Sequence, residues 1–255
     1  MCLILSSYCQ HPDYPVVIAA NRDEFYNRPT APANYWQDEP YILAGLDLQK
    51  GGTWLGVDKR GRIAAITNYR DPSADKTDAQ SRGSLVLDFL LQRQSANEYL
   101  SRSQRERHNY NGFNLLVYDT SGLYCLSSHS GEIQSLSAGL YGISNDLLDA
   151  PWPKVEKGKV ELDRLLNTDE PVNIDDIFTI LSNRSVFADA LLPDTGIGLG
   201  WERILSPIFV NSQTYGTRSS TVVMIDKNGM LTFAERSFDE NGRITSTLKY
   251  QFNIK

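Results

Sequence analysis

Short apolar runs broken by turn residues recur along this chain. Residues 3–7 and 16–20 flank the turn-rich Gln10-His11-Pro12-Asp13-Tyr14-Pro15. Residues 53–57 and 62–67 are joined by Asp58-Lys59-Arg60-Gly61, residues 114–118 and 123–127 by Asp119-Thr120-Ser121-Gly122, and residues 221–225 and 230–235 by Asp226-Lys227-Asn228-Gly229. Each joint ends in glycine between two β-rich runs, which predicts hairpins. Residues 133–136, 140–143 and 245–252 complete the predicted strands. Helical periodicity is rarer. Residues 85–94 bring Val86, Phe89, Leu90 and Arg93 to one face, with Ser84 as the candidate cap. Residues 155–166 repeat Val155, Leu162, Leu165 and Leu166, although Gly158 weakens a helix. Residues 175–183 group Ile177, Ile180 and Leu181, with Asn173 or Asp175 at the start. Hairpins outnumbering helices predict an α+β fold, antiparallel sheets covered by helices. Without a linker or an internal repeat, one domain over residues 1–255 is expected.

Charge and composition narrow the function. The chain of 255 residues carries a net charge of −6, which argues against nucleic-acid binding. Two basic clusters, Arg102/Arg105/Arg107 and Lys154/Lys157/Lys159, read as solvated faces. Three cysteines (Cys2, Cys9 and Cys125) without a Cys-x-x-Cys pair predict no disulfide framework and a reducing compartment. Cys9 and Cys125 are expected as buried or half-buried strand spacers. The histidines His11, His108 and His129 lack metal-ligand spacing, so no metal and no cofactor is expected. The apolar start carries no basic n-region, and no apolar stretch has membrane-spanning length. The expectation is a cytoplasmic protein without stable membrane insertion.

Candidate chemistry begins at Cys2. Initiator methionine is trimmed when the second side chain is small. Trimming Met1 would leave a thiol and a free α-amine, with reference pKa values of about 8.5 and 8, on one residue. The amine can then serve its own thiol as general base. Otherwise Cys2 is a small apolar residue opening a strand. The run Asn21-Arg22-Asp23-Glu24 follows the apolar strand 16–20. Arg22 and Asp23 are adjacent, so in an extended chain they point to opposite faces. An arginine near a cysteine favours its thiolate, and an aspartate near an amine holds the amine's proton. A solvated turn with surface ion pairs is the alternative. Asn68 and Asn145 each end a predicted strand, where a carboxamide donates to a developing oxyanion or forms a turn. Arg218, just before the strand 221–225, contacts a pocket or pairs with a surface carboxylate. Thr195-Gly196-Ile197-Gly198-Leu199-Gly200 has neither the spacing nor the lysine of a phosphate loop. Lys50-Gly51-Gly52-Thr53-Trp54-Leu55-Gly56 reads as a tight lead-in to a strand.

Together these motifs resemble a known family. Met1-Cys2, Ala19-Ala20-Asn21-Arg22-Asp23-Glu24-Phe25, Arg28-Pro29-Thr30, Gly51-Gly52-Thr53-Trp54-Leu55-Gly56, Asn68-Tyr69-Arg70, Tyr141-Gly142-Ile143-Ser144-Asn145, Leu192-Pro193-Asp194-Thr195-Gly196 and Tyr215-Gly216-Thr217-Arg218-Ser219 look like the transport and Golgi organisation protein 2 family, also called the Asn-Arg-Asp-Glu family. That family is similar to the cysteine N-terminal-nucleophile hydrolases, among them penicillin V acylase, bile salt hydrolase and acid ceramidase. The resemblance implies a four-layer αββα sandwich. It implies Cys2, Arg22, Asp23, Asn68, Asn145 and Arg218 as catalytic residues, although the acylases separate the arginine and aspartate that are adjacent here. Its members are associated with Golgi organisation, lipid or acyl-CoA metabolism and haem trafficking. The expected ligand is a small-molecule amide, an acyl compound or a haem-like molecule. Hydrolysis of a linear non-peptide amide is one reading. The other is a non-catalytic carrier of haem or an acyl chain, with Trp36, Trp54, Trp152, Trp201 and some of the thirteen tyrosines lining the pocket instead of ordinary core.

Overall fold

The computed structural model describes residues 2–168 and 171–255; the predicted loss of Met1 concerns a residue outside that range. The strands β1 (Cys2–Tyr8), β2 (Val16–Phe25), β3 (Thr30–Tyr35), β4 (Ile42–Asp47), β5 (Leu55–Asp58) and β6 (Ile63–Asn68) precede α1 (Gly83–Leu91) and α2 (Ala96–Glu106). Then come β7 (Phe113–Asp119), β8 (Gly122–Ser127), β9 (Ile133–Leu136), β10 (Gly139–Ile143), α3 (Pro153–Leu166), α4 (Ile174–Leu181) and α5 (Leu199–Leu205). The chain closes with β11 (Tyr215–Ile225), β12 (Met230–Phe238) and β13 (Ile244–Asn253). One sheet runs β10-β1-β2-β11-β12-β13 and the other β3-β4-β5-β6-β7-β8-β9, with antiparallel pairing throughout.

Strand alternation builds three apolar layers. Ile4, Ile18, Ala20, Val223 and Phe233 face Leu43, Leu55, Val57 and Leu116 between the sheets. On the outer face of the first sheet, Leu3, Leu5, Val17 and Ala19 meet Val155 and Leu162 of α3 and Ile177 and Leu181 of α4. On the outer face of the second, Ala64, Ile66 and Leu115 meet Val86 and Phe89 of α1 and Tyr99 and Leu100 of α2. Fully burying each of the valine, leucine, isoleucine and phenylalanine side chains among them is worth about 1.5–3 kcal/mol. The result is the predicted αββα order. Gly158, a weak point by propensity, sits where α3 approaches β1 closely. A Cβ there would lie 2.8 Å from Leu5 Cδ1, so glycine lets α3 sit close on β1.

Some expectations need correcting. Strand β2 does not end before its polar run but continues through Asn21, Arg22 and Asp23, all buried. Strand β3 carries Pro32, which hid it; proline is tolerated because β3 is a sheet edge. Helix α2, which apolar periodicity does not mark, begins with a reciprocal Ser95–Glu98 capping box that is legible in the sequence. Ser84 is not the cap of α1; Arg82 holds that position without a side-chain bond, and Ser84 Oγ donates to Ser81 O at 2.8 Å. Cys9 is exposed at a positive φ of 50°, not a buried spacer. Cys125 is buried, and burial pushes its thiol up to about 12, which leaves it inert. Among the described residues no helix is long and apolar enough to cross a membrane, and no His/Cys/Asp/Glu group is arranged to hold a metal ion.

Candidate active site

Cys2 opens β1 and is 7% exposed. Its register partner in β2 is Arg22. Because side chains alternate, Cys2 and Arg22 share the inter-sheet face with Ile4 and Ala20, whereas Asn21 and Asp23 share the helix-covered face with Val17 and Ala19. The adjacency of Arg22 and Asp23 thus divides them across the sheet. On the other side of β1, Ile4 pairs with Ile143, the last residue of β10, from which the chain runs on into Ser144 and Asn145. Ser144 Oγ donates to Cys2 O at 3.1 Å and fixes that strand end. Burial pushes the Cys2 thiol above its ordinary value, and the charge of Asp23 pushes the same way. The Arg22 guanidinium and a hydrogen bond from the Asp23 backbone N–H pull it down without cancelling the burial. Burial thus disfavours the thiolate, and a nucleophilic role for this thiol calls for a base.

Asp23 lies in a polar cluster behind the cysteine. Thr217 Oγ1 donates to Asp23 Oδ1 at 2.7 Å, and Tyr215 Oη donates to Asp23 O at 2.7 Å. Burial raises the Asp23 carboxyl; the charge of Lys154 leads the effects that oppose it, with the Thr217 bond also helping. Lys154 is 2% exposed, and its Nζ donates to Leu205 O at 3.1 Å. Burial pushes its ammonium down to about 8, with the Asp23 charge resisting. This overturns the reading of Lys154 as part of a solvated basic face. The signal was there: Lys154, Gly158 and Leu162 recur at helical spacing on the buried side of α3. Thr217 and Tyr215 lie in the motif around Arg218, but nothing local marks them as partners of Asp23.

The remaining polar residues form the frame. Asn21 is fully buried; its Nδ2 donates to Leu181 O at 2.8 Å and Ile208 O at 2.9 Å, and its Oδ1 accepts from Ser220 Oγ at 2.6 Å. It ties β2 to the end of α4 and to the segment before β11. Asn68, the last residue of β6, lines a cavity of about 510 Å³ that also holds Cys2, Arg22 and Arg218 in its wall. Asn145 is not in that wall. Its Nδ2 donates to Asn68 O at 3.0 Å, and its Oδ1 accepts from Arg70 Nη2 at 3.3 Å. Arg70 is anchored by a buried ion pair to Glu202 at 2.7 Å, and Thr195 Oγ1 donates to Glu202 at 2.5 Å. The Leu-Pro-Asp-Thr-Gly motif therefore braces Asn145 and Asn68 from a distance. Arg218 sits in a bulge of β11, and its Nη1 donates to the carbonyls of Phe25, Tyr26 and Arg28 at 3.0–3.2 Å. It meets the cavity rim, not a hydrogen bond to Cys2. Glu235, which sequence reading missed, joins the sheets by accepting from Ala33 N–H at 2.7 Å. Of the four tryptophans, Trp54 lines the cavity; Trp36 packs with α1 and α2, Trp152 under Arg70, and Trp201 edge-on to Tyr215.

An αββα sandwich with a cysteine at the first residue of an inner strand is the fold of the N-terminal-nucleophile hydrolases. Two variants of the conjugated bile acid hydrolase of Clostridium perfringens superpose on it with TM-scores of 0.52 and 0.56. Their sequence identity to this chain is 10%, with 99–100% of this chain and 97–98% of theirs covered. The model of the Transport and Golgi organisation 2 family matches residues 1–240, and the chain belongs to that family. It is 37% identical to the mouse Transport and Golgi organization 2 homolog over 276 residues and 36% identical to the human homolog over 282, each covering 100% of both chains. The Drosophila melanogaster protein is 25% identical, covering 93% of this chain and 92% of its own.

Proposed function

We propose that this protein is a cysteine N-terminal-nucleophile amidohydrolase acting on a non-peptide amide. The observation that carries the proposal is a strand-initial cysteine, buried at the wall of a cavity, with an arginine across the strand pair. Among solved structures of similar fold is a protein named conjugated bile acid hydrolase, by its name a hydrolase of a small-molecule conjugate, which supports a hydrolytic reading here.

Loss of Met1 frees the α-amine of Cys2. The amine takes the thiol proton as Sγ attacks the amide carbonyl, and the carbonyl oxygen becomes an oxyanion. Asn68, in the cavity wall, donates to that oxygen. Collapse breaks the C–N bond, and the amine's proton leaves with the departing nitrogen, giving a thioester on Sγ. Water then attacks the thioester, releasing the acid and restoring the thiol. Arg22 favours the thiolate from the cavity side. Asp23, whose carboxyl is raised by burial with Lys154 and Thr217 opposing the rise, faces the ammonium from the helix side as its acidic partner. Asn145 positions Asn68 through its carbonyl, and Arg218 contributes from the rim.

The test begins with intact-mass measurement of natively expressed protein, to show that Met1 is absent. A panel of N-acyl amides is then assayed with the wild-type protein, Cys2→Ala, and a form whose N-terminus is blocked. Hydrolysis by the trimmed protein alone is expected. Asn68→Ala should lose about 10²–10³ in kcat, the range for one oxyanion donor, and Asn145→Ala less. Equal rates for the wild-type protein and Cys2→Ala, or full activity with the terminus blocked, would refute the proposal.

A further inference from the structure

Six basic and four acidic side chains line the cavity, a formal excess of positive charge in a chain whose net charge is −6. The acids are mostly engaged. Glu24 and Asp47 both pair with Arg28, Asp23 belongs to the buried cluster behind the sheet, and Glu235 accepts from the Ala33 N–H. Three guanidiniums remain. Arg22 is nine-tenths buried; its Nη2 is 3.7 Å from Glu24, and its Nη1 is buried without a hydrogen-bond partner. Arg82, at the start of α1, donates one bond from Nη1 to Gly112 O at 2.9 Å. Arg218 gives its Nη1 to the 25–28 turn. Among the described residues neither Arg82 nor Arg218 forms an ion pair, and both line the cavity with Cys2. A guanidinium turned into a cavity without an acid beside it is suited to bind planar or tetrahedral anionic oxygens.

We propose that the substrate carries an anionic oxygen group, a carboxylate or a phosphate, held by Arg22, Arg82 and Arg218 beside the reactive cysteine. This deepens the amidohydrolase reading and rests on it for the substrate being an amide. The acyl or amine body would lie along Trp54 and Ile66, and the charged group would set its depth. Arg82 is the specificity residue that the sequence motifs did not single out.

Cys2→Ala protein, which turns nothing over, provides the test. Its affinity is measured by calorimetry for N-octanoylglycine, N-octanoylethanolamine phosphate and the neutral N-octanoylglycine methyl ester. The acid or the phosphate, whichever the site reads, should bind about tenfold tighter than the ester, the worth of one charge-assisted bond. Inorganic phosphate should compete with it, and Arg82→Met should remove most of the preference while Arg82→Lys retains part. Ester binding as tight as both anions, or full preference retained in Arg82→Met and in Arg218→Met, overturns the inference. Should an arginine variant fail to fold, the acid-to-ester ratio and the phosphate competition in the parent protein still decide it. Anion-selective binding without turnover by trimmed wild-type protein supports this inference and removes the hydrolase reading alone. Turnover accompanied by equal binding of acid, phosphate and ester does the reverse.

Discussion

Lys154 offers the sharpest test of the electrostatics behind the cysteine. Its ammonium, fully inside the protein, titrates at about 8 instead of 10.5. A displacement of that size corresponds to about 3 kcal/mol of destabilisation of the charged form in the folded state. The sign follows from proton counting. Below pH 8 both folded and unfolded chains carry the proton, and the whole penalty applies. Between pH 8 and 10.5 the folded chain has released it while the unfolded chain still holds it, so stability rises with pH. Above 10.5 neither is charged and the penalty is gone. The perturbation is Lys154→Met, which deletes the titration and keeps most of the side-chain volume. Loss of the bond to Leu205 O adds an offset that does not vary with pH. Both proteins should carry Cys2→Ala, because the thiol and Lys154 feel each other's charge. Urea unfolding at pH 7, 8, 9 and 10 measures the difference. The lysine protein should gain on the methionine protein by about 1 kcal/mol per pH unit once pH exceeds 8. A difference that stays flat from pH 7 to 10 refutes the depressed lysine, and with it the view that Lys154 is a marginally held charge facing Asp23.

Further outcomes follow from single contacts. Asn21→Ala strands two carbonyls and a hydroxyl inside the sheet–helix layer and should cost about 3 kcal/mol or more in chemical unfolding; a loss under 1 kcal/mol contradicts the assigned network. Gly52→Ala places a Cβ 2.6 Å from the Gly83 carbonyl carbon, so the loop leading into α1 must shift, and a drop in stability of about 1–3 kcal/mol should appear as a lowered Tm. Alkylation of Cys2 by iodoacetamide should climb with pH to a midpoint above that of an ordinary thiol, since burial holds the proton on. Asp23→Asn removes a charge that raises the thiol and should move the midpoint down; an upward movement would contradict the described polarity.

Much of this molecule was written in local pattern. Short apolar runs and glycine-ended turns located most strands, since a buried strand needs apolar residues and a hairpin needs a residue tolerant of positive φ; Gly61 and Gly229 take φ of 81° and 78° at two of these joints. Alternation also foretold that Arg22 and Asp23 face opposite ways. The motifs further marked Cys2 and Asn68, which the fold does bring to one cavity wall. Local pattern could not say which neighbour each strand would take. Strands β9 and β10 are separated by Ser137 and Ala138, yet one closes the edge of the second sheet and the other the edge of the first. Pairing at a sheet edge depends on which backbone groups remain open after the rest has folded, and no short window of sequence carries that information. The same reason governs the site. Lys154 reaches the surroundings of Asp23 because α3 packs on β1, and Asn145 was placed behind Asn68 because β10 pairs with β1. Residue type and spacing set which chemistry is available, whereas burial and long-range pairing determine which charges meet, which are shielded and which stay open to a ligand.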